Sequence, residues 1–138
     1  MIATALDSNV VLAVLTGTPV EIERGESVLR AAKRVGPICI SMVVYAEVAP
    51  HFPSRVRLDD FFSLANCRID PIDEPIAYLA ARFFWEYRLR GGSRTRILPD
   101  FLIAAHAQLR ADRILTRDKR FFKEAFPKLK AVSPEDVI

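Results

Sequence analysis

Five short strand-like runs set the limits on how this chain can fold: Ile2–Leu6, Ile38–Ser41, Cys67–Ile72, Arg113–Thr116 and Lys130–Val132. Between them lie stretches whose apolar residues return with helical spacing. Leu58, Phe61, Phe62 and Ala65 fall at i, i+3, i+4 and i+7, and Ile76, Leu79, Ala80, Phe83, Phe84 and Tyr87 keep that spacing over three turns. Strands alternating with helices predict an α/β class with a mainly parallel sheet. The run Ile38–Ser41 (ICIS) suits a strand covered on both faces, which predicts a three-layer α/β/α architecture. Crossovers in such a sheet are right-handed, and ligands bind beyond the carboxyl ends of its strands. The residues that follow each strand are therefore the first place to look for chemistry.

Punctuation along the chain agrees. Gly17 and Pro19 end a short helix that begins at Ser8, and Gly36-Pro37 stops a longer one over Val20–Val35. Ser41 caps a helix over Met42–Ala49 that Pro50 halts. Arg90–Arg96 (RGGSRTR) reads as a polar loop, Asp100–Arg110 as a helix, and Lys119–Phe126 as a shorter one. No linker or repeat divides the 138 residues, so one domain over 1–138 is expected. A hydrophobic share of 51% excludes a disordered chain. No apolar run reaches the length of a membrane span, and the N-terminal segment lacks the basic start of a signal peptide. A cytoplasmic protein with two free, buried thiols, Cys39 and Cys67, is expected.

Four carboxylates occupy related places. Asp7 follows the first strand, and Asp118 lies two residues after Thr116 at the end of the fourth. Asp100 stands at the mouth of the apolar run Phe101–Ala105, and Glu47 is the only charge in Ser41–Ala49. Taken singly, each Asp also fits a helix N-cap. Glu47 fits that role less well: its helix looks apolar all round, which predicts a buried carboxylate in need of a partner. Four carboxylates gathered at one sheet edge repel one another unless a cation neutralises them. A hard divalent ion such as Mg2+ or Mn2+ takes oxygen ligands and suits such a set. No His or Cys cluster competes as a zinc site, because His51 and His106 stand alone in the sequence.

The segments ALDSNVVL, ISMVVYAEV, LPDFLIAAHA and ILTRDKRFF, in this order and with these gaps, resemble the PIN-domain ribonucleases, in particular VapC toxins of toxin–antitoxin pairs. The likeness runs from Met1 to about Phe126. It implies a PIN-like fold and a Mg2+- or Mn2+-dependent endoribonuclease with Asp7, Glu47, Asp100 and Asp118 as metal-binding and catalytic acids. It further implies that Asn9 orients Asp7 or a water, with Thr116 in a similar supporting role. It also implies an RNA substrate, a VapB-like antitoxin partner and a homodimer.

Setting those four acids aside leaves 20 basic side chains against 13 acidic ones. Arg88, Arg90, Arg94 and Arg96 precede Asp100, while Arg110, Arg113, Arg117, Lys119 and Arg120 flank Asp118. A basic rim around an acidic centre suits a polyanion, and Arg94, Arg96, Arg117 and Lys119 are the candidate RNA contacts. Phe121, Phe122 and His106 are expected in the core, and Phe83, Phe84 and Trp85 in the core or a dimer interface. A phosphatase of the haloacid dehalogenase type would need a second Asp two residues after Asp7, where Asn9 stands. The remaining rival is a catalytically silent PIN-like module that binds RNA or protein without cutting.

Overall fold

The computed structural model describes all residues, Met1–Ile138. Along the chain run β1 (Thr4–Leu6), α1 (Ser8–Thr16), α2 (Pro19–Val35), β2 (Ile38–Ser41), α3 (Met42–Val48), α4 (Arg55–Leu64), β3 (Cys67–Asp70), α5 (Glu74–Leu89), α6 (Leu98–Arg110), β4 (Arg113–Leu115), α7 (Lys119–Ala125), β5 (Ala131–Val132) and α8 (Pro134–Val137). A single 3-10 turn over Ala49–His51 follows α3, where Pro50 removes a backbone donor.

Side chains at the helix starts explain several of these boundaries. Thr18 accepts from Glu21 N–H ahead of α2, Ser41 from Val44 N–H ahead of α3, Ser54 from Arg57 N–H ahead of α4, and Asp73 from Ile76 N–H ahead of α5. The short α8 was not foreseen, although Ser133 and Asp136 carry its signal: the Asp136 carboxylate accepts the Ser133 N–H at 2.8 Å. Helix α6 begins at Leu98, two residues before Asp100, with Pro99 in its first turn.

All five strands are parallel, in the order β3-β2-β1-β4-β5. Thr4 and Ala5 of β1 lie between Ile38 and Cys39 on one side and Arg113 and Ile114 on the other. Right-handed crossovers toward β3 put α1 to α4 on one face, and the return through β4 to β5 puts α5, α6 and α7 on the other. The packing agrees: α1 lies on α2 and α3, α5 lies along α6, and Phe101 of α6 meets Phe121 of α7 at 6.1 Å between ring centres. The α/β/α sandwich is thus as expected from the alternating pattern.

The order reverses at β1. Its first crossover leads to β2 on one side, while β4 comes in on the other, and the crevice beyond their carboxyl ends is where doubly wound sheets bind ligands. Strand β1 is wholly buried, which fixes the residue after it. Gly36 makes that close fit possible at the opposite end, since a Cβ there would come within 2.1 Å of the Ile2 carbonyl oxygen.

Below the crevice, Phe101 is fully buried among Phe84, Tyr87, Phe121 and Phe126, with ring centres 5.1 to 6.1 Å away. Truncating such a ring costs about 3–5 kcal/mol. The residue before it is Asp100, so this aromatic cluster anchors one acid of the site.

Candidate active site

Asp7 leaves β1 into the first turn of α1 and is 8% exposed. Its Oδ1 accepts the Ser8 N–H at 2.8 Å and its Oδ2 accepts the Thr116 hydroxyl at 2.7 Å. Thr116, fully buried at the end of β4, has one hydroxyl proton and spends it on Asp7. The same oxygen accepts the Asp118 N–H at 2.9 Å. One hydroxyl therefore couples the acid after β1 to the acid after β4. Burial pushes the Asp7 carboxyl above its ordinary 3.8. The bonds from Thr116 and Ser8 oppose that rise, and the negative charges of Glu47 and Asp100 add to it.

Those two charges come from neighbouring helices. Glu47 receives the Ser8 hydroxyl on Oε1. It is exposed, with Met42 and Ala46 beside it, which corrects the expectation of a buried carboxylate. Helix α3 has seven residues and lies at the carboxyl edge of the sheet, where one side of it meets solvent despite its apolar composition. Glu47 and Pro99 line one surface depression, so α3 and the start of α6 face each other there. Asp100 accepts the Ile97 N–H at 3.2 Å, a bond that caps α6, and keeps its other oxygen outside that bond. Capping and proximity to Asp7 thus coexist in one carboxylate.

Asp118 stands at the N-cap position of α7 without capping it through its side chain. Its Oδ2 instead accepts the Arg96 guanidinium at 2.7 Å. Asn9 does not reach Asp7 by hydrogen bond: its Oδ1 accepts the Arg117 N–H at 3.1 Å and ties the β4–α7 loop to α1. Ser8, given no separate role from the sequence, proves to be a link to Glu47; its place between Asp7 and Asn9 was the available signal.

The basic side chains disperse. Arg94 and Arg117 are exposed, whereas Lys119 turns to Asp136 of α8 at 2.7 Å. Arg88 lies over the Phe84 ring at 4.9 Å and Arg90 over Tyr87 at 5.5 Å, so part of the arginine-rich stretch packs on its own aromatics. Phe121 and Phe122 are core residues, while Trp85 is 64% exposed on α5.

His106 lies elsewhere, beneath β2 and β3. It is buried and bonded through Nε2 to Asp70 at 2.8 Å. Arg68 grips the same carboxylate at 2.7 and 3.1 Å. Cys39 completes a group whose donor atoms lie within 4.8 Å of one another, a juxtaposition the sequence did not reveal. Burial pushes the Cys39 thiol up to about 12 and the His106 imidazole below 6.5. Asp70 is already satisfied by Arg68 and His106, and the thiol keeps its proton, so this group works as a closed structural network.

Comparison with known proteins identifies the fold and the family. The PIN domain family model matches residues 4–127. Ribonuclease VapC10 of Mycobacterium tuberculosis is 34% identical over 105 residues, spanning 75% of this chain and 74% of that protein. The crystal structure of VapBC2 from Rickettsia felis bound to a promoter DNA fragment superposes with a TM-score of 0.77 at 20% identity, over 96% of this chain and 98% of that one. FitAcB from Neisseria gonorrhoeae gives a TM-score of 0.72 at 24% identity, over 96% and 98%. With an acidic crevice at the β1/β4 reversal and a family match over most of its length, this chain belongs to the PIN domain family, alongside the VapC proteins.

Proposed function

We propose that this protein is a divalent-metal-dependent endoribonuclease and the toxin of a type II toxin–antitoxin pair. The observation that carries the proposal is the bonded path Asp7–Thr116–Asp118, with Glu47 and Asp100 close enough to raise the Asp7 carboxyl. The donor set fits a hard cation: its side chains are carboxylates and hydroxyls, and the Asp7 carboxyl is destabilised in just the way a nearby positive charge would relieve. Asp7, Glu47, Asp100 and Asp118 would hold Mg2+ or Mn2+. Bound there, the ion supplies a more acidic water and charge neutralisation for a phosphodiester.

The chain's own residues do the rest. Thr116 fixes the Asp7 carboxylate, Ser8 steadies Glu47, and Asn9 holds the loop that carries Asp118. Arg94, Arg96 and Arg117 offer cations to RNA phosphates around the acids, with Lys119 farther out, held by Asp136. Residues 1–138 act as one domain, as a homodimer in the cytoplasm. A VapB-like antitoxin is the partner; a similar structure from Klebsiella pneumoniae, with a TM-score of 0.68, is a toxin–antitoxin complex by name. No helix is long and apolar enough to cross a membrane.

The test is direct. Purified protein should cut RNA with Mg2+ or Mn2+ and stop with EDTA, and Asp118→Asn should lose about a hundredfold or more in rate. RNA binding without metal-dependent cleavage would leave the silent binding module as the better reading, and cleavage that survives both EDTA and the substitution would remove the four acids as its source.

A further inference from the structure

We propose that Arg96 is a resident counter-cation of the acidic site, which releases Asp118 when a divalent ion takes that carboxylate and then serves an RNA phosphate. The inference rests on the nuclease reading and adds a positioning residue to it.

Asp118 is the one acid of the four whose carboxylate is met by a cation of the chain itself, Arg96 at 2.7 Å. Its side chain is also free of capping duty, so nothing in α7 depends on its carboxylate oxygens. The Arg96 and Asp118 side chains are 30% and 37% exposed. Solvent screens a pair at that depth, which makes it an exchangeable contact rather than a lock. A carboxylate can accept from more than one partner, but a guanidinium and a divalent ion on the same small group repel each other, so the two cations compete for Asp118.

Release would not send Arg96 into solvent. Its guanidinium carbon lies 3.8 Å from the centre of the Phe121 ring, a stacked arrangement that sets its plane. Phe121 is itself buried against Tyr87, Phe101, Phe122 and Phe126. The platform is therefore rigid and borders the site. The backbone of Arg96 belongs to the connection from α5 to α6, which turns at Gly91 (φ +79°) and is closed by the Arg96 N–H donating to the Ser93 carbonyl at 3.3 Å. A planar fork of donors, held on an aromatic face beside four acids, suits bidentate recognition of a phosphate once its carboxylate partner is taken.

The experiment measures Mn2+ binding by calorimetry for the full chain and for Arg96→Gln, Arg96→Lys and Asp7→Asn. It then measures affinity for polyuridylate against salt at saturating Ca2+. Arg96→Gln should bind Mn2+ about two- to fivefold more tightly than the parent, because a competitor has gone. Its logarithmic salt slope on polyuridylate should fall by about 1. Arg96→Lys keeps the charge and should stay near the parent in Mn2+ affinity and salt slope, which separates lost charge from a damaged fold, while the loss of the planar fork lowers its affinity for polyuridylate at any one salt concentration. Equal or weaker Mn2+ binding by Arg96→Gln, or an unchanged slope, overturns the inference while leaving the nuclease reading in place. A parent that takes up no Mn2+ beyond what Asp7→Asn takes up overturns both.

Discussion

Asp7 and Asp70 are almost equally buried, at 8% and 9% exposure, yet they live in opposite surroundings. Asp70 is met by Arg68 and His106. Burial alone would raise its carboxyl, but those bonds outweigh it and hold it below 3.8. Asp7 is met by a hydroxyl and an amide, both neutral, with two further carboxylates nearby, and its carboxyl sits above 3.8. The first arrangement is balanced and complete. The second is unbalanced, and a cation from outside would complete it. Burial therefore does not separate an acid in a closed network from one left short of positive charge; the charge of its partners does.

Exchanging each acid for its amide gives the largest contrast. Asp7→Asn should cost about a hundredfold or more in RNA cleavage with the fold intact. Asp70→Asn should leave the cleavage rate of folded protein near the parent's and destabilise it by about 2 kcal/mol, read by urea unfolding. That cost stays moderate because Arg68 keeps its bond to the Arg110 carbonyl, is half exposed and can reach water. A dead but stable Asp70→Asn would break the comparison.

A smaller effect separates the two by pH. His106 titrates below 6.5 in the fold, so protons favour the unfolded chain, and stability should fall as pH drops below 6.5. His106→Gln should flatten that loss. The raised Asp7 carboxyl acts with the opposite sign. Its charged form costs stability at neutral pH, and the cost disappears as pH falls through its raised value toward 3.8. At neutral pH without metal, Asp7→Asn should therefore melt a few degrees higher than the parent, about 1 kcal/mol. A lower melting temperature would mean that the bonds from Thr116 and Ser8 outweigh the cost of burial and of the neighbouring negative charges.

The smallest change tests the edge of the unbalanced region. Ser8→Ala releases Glu47 without touching Asp7. It should slow cleavage several-fold and move stability by under about 0.5 kcal/mol, since the contact is exposed. An unaltered rate would remove Ser8 from the working set.

Much of this was legible in the chain itself, for physical reasons. Helical and strand periods are local, so the alternation of elements and the acids beyond Leu6 and Thr116 could be read directly. Capping residues such as Thr18, Ser41 and Asp73 act within three residues and were equally open to reading. What escaped depends on which strands become neighbours. Asp70 and His106 are 36 residues apart and meet only because α6 packs against β4, β1 and β2 and brings His106 to the end of β3. Arg96 and Asp118 are 22 apart, and charge counting assigned Arg96 to a rim when its partner was an acid of the site. Glu47 misled for a different reason: a seven-residue helix has too few turns for periodicity to reveal its wet side.

The position of β1 between β2 and β4 has a consequence for timing. Asp7 is made early and Thr116, its bonding partner, 109 residues later. At ordinary rates of synthesis that gap takes on the order of ten seconds. Until β4 emerges, the central strand lacks one of its two neighbours and the acids have nothing to gather them. A growing chain therefore cannot assemble the four acids until Thr116 and Asp118 have been made.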